Sequence, residues 1–353
     1  MPTTKKKVII GTVRVKANYL KAYEKTGTGW KPVKKEFPEL TLAAKLFKAH
    51  NKFSELIDKK NSKFLKGQLS PKRQQQGARI NILPNGEVLT KAYSLFAPHL
   101  KIHDQISHDH WDVIYQNKGG TWSYVYTQKK LKLHKAQKYK KVEEFDKNYS
   151  KLLKNASKSL SDKEDFMSVP MYTLLKTYMR VGNETYFKAH KHKGLTTLTK
   201  RDIKIKGDTV NFNYVGKDGV PIEKSHKFPT RYIARLRLLL GEKRKNDFVF
   251  AKGRHPLSEH DFKSAFIRYC GHEFYPHIVR SHYATSKVKS FLAKNRKITK
   301  DEMEELFLSI AHDLGHRIFN KKKQEWKEHY TVTVNNYIQP ELVDKIRLRI
   351  RNK

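Results

Sequence analysis

The sequence predicts an α+β chain in two parts. A β-containing N-terminal domain occupies residues 1–137, and a mainly α-helical domain with a small antiparallel sheet occupies residues 138–353. Three observations carry this. Before residue 137, short alternating runs are separated by Gly- and Pro-rich turns. After it, apolar residues recur at helical spacing. One strand-rich insert, TLTKRDIKIKGDTVNFNYVGKDGVPIEKSHKF, interrupts the helices.

Taken in order, Val8–Ile10 and Thr12–Val15 read as a short β run. LTLAAKLFKAHNKFSELIDKK follows as a helix, with Leu42, Leu46, Phe47 and Phe53 at approximate helical spacing. The polar, basic stretch 61–82, with three consecutive glutamines, reads as a loop or arm, either a solvated linker or a segment tracking DNA. Pro84-Asn85-Gly86 marks a turn. WDVIYQNKGGTWSYVYT predicts a hairpin around Lys118-Gly119-Gly120. From about residue 138, Val142, Phe145, Tyr149, Leu152 and Leu153 mark a helix, and a second carries Pro170 near its start. In the insert, Ile203, Ile205, Val210, Phe212 and Tyr214 alternate between turn signals. Helices resume at TRYIARLRLLLGEK, SEHDFKSAFIRYCGHEF, VRSHYATSKVKSFLAKN and DEMEELFLSIAHDLGH, with Tyr283 expected in the core.

Charge narrows the function. Lys and Arg number 74 against 34 Asp and Glu, a formal net charge of +40 spread along the whole chain, which points to a polyanionic partner with nucleic acid first. A non-catalytic basic nucleic-acid-binding protein stays open on charge alone. No long apolar run or lipidation signal suggests a membrane. The single Cys270 allows no internal disulfide and no zinc-type spacing, so an intracellular reducing compartment is expected; MPTTKKKVII is not a signal peptide.

Four strings stand out in order: RVGNE…GLTTL (Arg180 to Leu198), FNYVGKDGV with Lys217 at a hairpin tip, HIVRSHYAT with His277 and Arg280 one helical turn apart, and the stretch from Leu314-Gly315-His316 to NNYIQPELV with Tyr337. Together they resemble the type IB DNA topoisomerases of the small poxvirus and bacterial kind, which share a catalytic fold with the tyrosine recombinases. The resemblance covers about residues 95–353 and is strongest over 171–230. It implies that Arg180 and Arg280 are the two catalytic arginines, Lys217 the general acid and Tyr337 the nucleophile. His277 falls where the family has Lys or His, and His316 where it has His or Asn. It also implies a monomer that clamps double-stranded DNA between its two domains and relaxes supercoils without cofactor, metal or ATP.

The residue types suit that chemistry. A phenol is a weak nucleophile unless cations stabilise the charge that develops. Two guanidiniums can clamp the non-bridging phosphate oxygens, and a histidine can donate to them. A lysine can protonate the leaving 5′-oxygen. In the family, the His or Asn lies much closer to the tyrosine than His316 lies to Tyr337. The intervening RIFNKKKQEWKEHYTVTV reads as a basic inserted loop or hairpin. It leaves His329 as an alternative to His316. It also makes Tyr330 a rival nucleophile, though one in a β-like TVTV context. Lys321, Lys322, Lys323 and Lys327 are candidate phosphate contacts. A site-specific tyrosine recombinase would share the same residues.

Overall fold

The structure is a computed structural model that describes residues 8–103, 111–320 and 322–350. The chain divides into two compact units, Met1–Gln137 and Lys138–Lys353.

In the first unit, strands β1 (Val13–Val15), β2 (Ala22–Lys25) and β3 (Trp30–Pro32) precede helix α1 (Pro38–Ala49). After it come β4 (Gln68–Leu69), β5 (Gln75–Gln76), β6 (Ile80–Ile82), β7 (Val88–Tyr93), β8 (Lys101–Ile102), β9 (Val113–Gln116) and β10 (Trp122–Val125). The sheets run β3-β2-β1-β4-β5, β6-β7 and β10-β9-β8, all antiparallel. The Pro-Asn-Gly turn joins β6 to β7, and Lys118-Gly119-Gly120 lies between β9 and β10. Two expectations are corrected. Stretch 61–82 is not a free arm: it supplies three strands, and Phe64 and Leu65 are buried. Helix α1 buries Leu40, Ala43, Ala44 and Phe47, leaving Leu42 59% exposed. The inward face is thus centred one residue away from Leu42, and two alanines complete it.

Helix α2 (Gln128–Lys158) carries the chain from the first unit into the second. It starts ten residues before the expected boundary, because the basic run 128–141 is itself helical; its lysines are good helix formers. The second unit then contains α3 (Ser168–Thr177), α4 (Glu184–His190), β11 (Ile203–Lys206), β12 (Thr209–Val215), β13 (Pro221–Lys227) and α5 (Thr230–Gly241). A short hairpin, β14 (Ala251–Lys252) with β15 (His255–Pro256), leads to α6 (Glu259–Cys270), α7 (Ile278–Lys294) and α8 (Lys300–Leu314). The chain ends with hairpin β16 (Arg317–Asn320) and β17 (Glu325–Glu328), α9 (Thr331–Tyr337) and α10 (Pro340–Arg349). The insert is the expected antiparallel sheet in the order β11-β12-β13, with Ile203, Val210, Phe212 and Tyr214 facing the core. Thr331–Val334 is helical, not β-like. Its β-branched residues are weak helix formers, and packing of Thr333, Val334 and Tyr337 against α7 and α8 overrides that preference.

The two glycines of RVGNE…GLTTL explain why the strings occur together. Gly182 has φ +100°, a conformation glycine adopts freely. A Cβ at Gly194 would stand 2.6 Å from both Arg180 O and Gly182 Cα. Only with that side bare can Leu195 N donate to Arg180 O at 2.8 Å and Thr196 N to Val181 O at 2.7 Å, which fixes the backbone that carries the Arg180 side chain. Gly194→Ala is therefore expected to destabilise the protein by about 2 kcal/mol or more, the range for forced overpacking. Urea unfolding measures this, and a loss under about 0.5 kcal/mol, the level of an inert surface change, would contradict the account.

Candidate active site

Tyr337 is the last residue of α9 and is only 4% exposed. The carbonyls that end this helix are held by side chains from two others. Lys138 and Tyr139 of α2 donate to Asn336 O and Ile338 O, and Thr285 of α7 donates to Tyr337 O at 3.3 Å. Pro340, at the start of α10, turns the chain away. The helix end is thus pinned on three sides.

Cations surround the phenol. Arg180 Nη1 lies 3.3 Å from the Tyr337 hydroxyl and donates to it. The Arg280 guanidinium carbon is 5.2 Å from the ring centroid, and the Lys138 ammonium 5.5 Å. Burial pushes the Tyr337 phenol up, but Arg280 and Arg180 pull it down further, so its pKa falls below the ordinary value of 10.0.

Arg280, one turn into α7, is 1% exposed. Nη1 donates to Tyr178 O at 2.6 Å, just past the end of α3, and Nη2 donates to Leu314 O at 2.8 Å, at the end of α8. Burial, then Arg180, lower its pKa to about 10, so it stays charged at neutral pH. Its buried Nε has no hydrogen-bond partner among the described residues.

His316 lies 4.8 Å from the Tyr337 ring and His277 5.2 Å, centroid to centroid. Burial, then Arg280 and Arg180, hold His316 down to about 2 and His277 down to about 3, so both are neutral at neutral pH. Arg280 Nη2 is 3.0 Å from His316 Nε2, and an arginine can only donate. Nε2 therefore accepts, and the proton sits on Nδ1, which donates to Thr333 Oγ1 at 2.8 Å.

Lys217 is exposed at the β12–β13 turn. It lines a cavity of about 300 Å³ together with Arg180, Arg280, His316, Lys224 and His329. The other five candidate catalytic residues named from the sequence thus gather around Tyr337 and this cavity. The alternatives separate: Tyr330 stands at the opposite end of α9 and packs against Phe307, while His329 is an exposed residue on the cavity wall. Of the basic insert, Lys322, Lys323 and Lys327 are exposed on the β16–β17 hairpin, with Lys327 3.4 Å from Glu325; Lys321 lies outside the described residues.

Two cations near the site were not singled out from the sequence. Lys138 lies in a run of lysines in which nothing local marks it out. Lys224 donates to Thr177 O at 2.9 Å and to Asp313 O, and burial and Arg280 lower its pKa to about 7. Its signal was available: it stands on the inward face of β13, two residues after Ile222, where alternation calls for an apolar side chain.

A buried tyrosine set among two arginines, beside a lysine-tipped hairpin, is the arrangement that the resemblance to the type IB topoisomerases implies. Residues 128–346 match the family model of the eukaryotic DNA topoisomerase I catalytic core, more than half of the chain, and the chain belongs to that family. No curated protein matches it significantly. Among solved structures, two of the XerH site-specific recombinase align with it. The pre-cleavage complex with difH substrate gives a TM-score of 0.34 at 15% identity, covering 50% of each chain. The post-cleavage complex with palindromic difH substrate gives 0.33 at 14%, covering 48% of this chain and 45% of that one. The chain thus spans about half the length of these structures.

The depressed histidines predict an acid-sensitive site. Between the folded value of about 2 for His316 and its ordinary value of 6.5, the unfolded chain binds a proton that the folded protein does not. Stability therefore falls as pH drops below about 6.5, by up to about 1.4 kcal/mol per pH unit for each such histidine. His316→Gln should flatten the slope of stability against pH between about 6 and 4 by up to that amount. Chemical denaturation across this range measures it, and an unchanged slope would show that His316 is not held neutral.

Proposed function

We propose that the protein is a type IB DNA topoisomerase. It relaxes supercoiled duplex DNA by cutting one strand through a 3′-phosphotyrosyl intermediate and rejoining it. The observation that carries this reading is the Tyr337 hydroxyl, buried, made more acidic than usual and held by Arg180 beside Arg280. The unpartnered Nε of Arg280 supports it, since a buried donor without an acceptor fits an incoming phosphate oxygen.

Tyr337 loses its proton to solvent and attacks phosphorus. The phosphorus–O5′ bond breaks, and Lys217 gives a proton to the departing O5′. Arg180 and Arg280 hold the non-bridging oxygens as charge accumulates. His277 and His316, both neutral, act as hydrogen-bonding groups, not as cations. For His316 Nε2 to donate to phosphate, its proton must move from Nδ1, and the Thr333 hydroxyl can turn from acceptor to donor to support that form. Because the guanidiniums already supply the charge stabilisation, no step calls for a metal ion. The phosphotyrosyl bond keeps the energy of the cut, so rejoining by the reverse path needs no ATP.

The exposed lysines of the β16–β17 hairpin belong to the same reading as contacts to phosphates flanking the cut, restraining strand rotation. The Lys327–Glu325 pair does not oppose this, because an exposed pair of this kind contributes about 0–1 kcal/mol.

Three measurements test the proposal. Tyr337→Phe should abolish the covalent protein–DNA adduct and plasmid relaxation while DNA binding persists; an adduct lost in Tyr330→Phe and kept in Tyr337→Phe would overturn the assignment. Relaxation should proceed without ATP and in the presence of a chelator, whereas exchange only between paired sites would identify a recombinase. Changing Lys321, Lys322, Lys323 and Lys327 to alanine should flatten the plot of log affinity against log salt by about 0.9 for each phosphate no longer neutralised by a lysine. The same variant should pass through more turns per cut, and an unchanged slope would remove the hairpin from the interface.

A further inference from the structure

The start of β13 and the chain on either side of His316 meet along a seam. Arg317 Nη1 donates to Pro221 O at 3.3 Å. Two residues along β13 from Ile222, Lys224 donates to Asp313 O. Between these bonds, Ile222 occupies the space that two glycines leave open. A Cβ on Gly216 would stand 3.0 Å from Ile222 Cγ1, and a Cβ on Gly315 would stand 2.6 Å from Ile222 Cδ1. Gly216 immediately precedes Lys217, and Gly315 immediately precedes His316. The turn itself is tight: Gly216 N donates to Val220 O at 2.7 Å and Gly219 N to Gly216 O at 3.2 Å. The turn therefore moves as one piece with its base, and its base is wedged against the residue before His316.

We propose that Ile222 is a positioning residue for Lys217. Seated between Gly216 and Gly315, it fixes the exposed turn that carries the lysine to the chain that carries His316, and so to Arg280. This rests on the reading of Lys217 as the proton donor. An exposed lysine at a hairpin tip is otherwise free to wander, and a displacement near 1 Å at a reacting group can cost about a hundredfold in rate. Tyr337 is held by α2 and α7 and the Arg180 backbone by the Gly182–Gly194 contact, while Arg280 keeps its bond to Tyr178 O outside the seam, so disturbing the wedge should impair delivery of the proton more than nucleophilic attack.

The test compares single-turnover cleavage of two DNA duplexes that carry one mapped cleavage site. One has the ordinary phosphodiester, and the other has sulfur in place of the bridging O5′, a leaving group that needs no proton. Lys217→Ala should cleave the ordinary duplex about a hundredfold more slowly and the sulfur duplex at nearly the normal rate. Gly315→Ala drives a Cβ into Ile222 and should show the same selective defect, about tenfold or more on the ordinary duplex. Adding Ile222→Val removes the Cδ1 that the new Cβ meets. It should restore the ordinary rate to within about threefold of wild type, although the alanine introduced by Gly315→Ala keeps its unfavourable φ in both variants. Should Gly315→Ala not fold, Arg317→Ala loosens the same seam from its outer edge, and it should show a selective defect of about threefold or more.

Equal defects of Lys217→Ala on both duplexes would overturn the proton-donor reading, and the proposal with it. A selective defect in Lys217→Ala, with equal or absent defects in the seam variants, would overturn the proposal alone. So would failure of Ile222→Val to restore Gly315→Ala.

Discussion

The burial of the Arg280 guanidinium is the constraint from which the rest of the site follows. Taking a cation out of water costs several kcal/mol unless acceptors replace the water. No ion pair joins Arg280 to a carboxylate among the described residues; its acceptors are the carbonyls of Tyr178 and Leu314 and the ring of His316. Those carbonyls lie at the C-terminal ends of α3 and α8, where unsatisfied oxygens and the helix dipole both favour positive charge. Lys224 takes the neighbouring carbonyls, Thr177 O and Asp313 O. Two helix ends thus hold two basic side chains, and no carboxylate forms an ion pair with either among the described residues. A carboxylate paired to either would have quenched the field that the proposed substrate has to meet.

That uncompensated field sets the chemistry of its neighbours in opposite senses. Burial first, and then this field, disfavour further positive charge, so His277 and His316 are neutral and Lys224 is brought close to neutrality. The field favours negative charge, so the Tyr337 phenol loses its proton more readily despite its burial. Tyr214, Tyr178 and Tyr283 are also enclosed, yet burial dominates for each, and their phenols are pushed up. What distinguishes Tyr337 is the guanidinium on its hydroxyl. The groups proposed to hold the phosphate therefore also make the Tyr337 phenol more acidic.

Much of this arrangement was legible in the sequence because its residues lie in short strings with local geometry. RVGNE and GLTTL could be recognised as a pair, though only the structure gives the reason: Gly182 and Gly194 pack backbone to backbone. The antiparallel insert was legible from its alternation and turns. The failures are cases where partners distant in sequence decide. Thr331–Val334 looks like a strand by composition and is a helix because α7 and α8 cover it. Stretch 61–82 looks solvated and pairs into a sheet through Leu69 and Gln75. Lys138 serves the site through Asn336, almost two hundred positions away, and nothing local marks it out from the other lysines of its run.

The long separation of His316 from Tyr337 loses its difficulty once the β16–β17 hairpin is followed. Its strands pair from Arg317 with Glu328 through Asn320 with Glu325, so the chain leaves the site and returns to the place it left. At the base, His329 N reaches His316 O at 3.4 Å. The hairpin therefore adds length without adding reach, and the path that matters to the site runs from His316 directly to the start of α9. This also explains why His316 and Thr333 can bond across 17 positions, and why His329, although closer to Tyr337 in sequence, lies at the hairpin's mouth and not beside the phenol. A closed loop of this kind can differ in length or charge without moving the residues at its base. The tip is free to carry lysines suited to phosphates, while the base remains tied to β13 and to the cations around Tyr337.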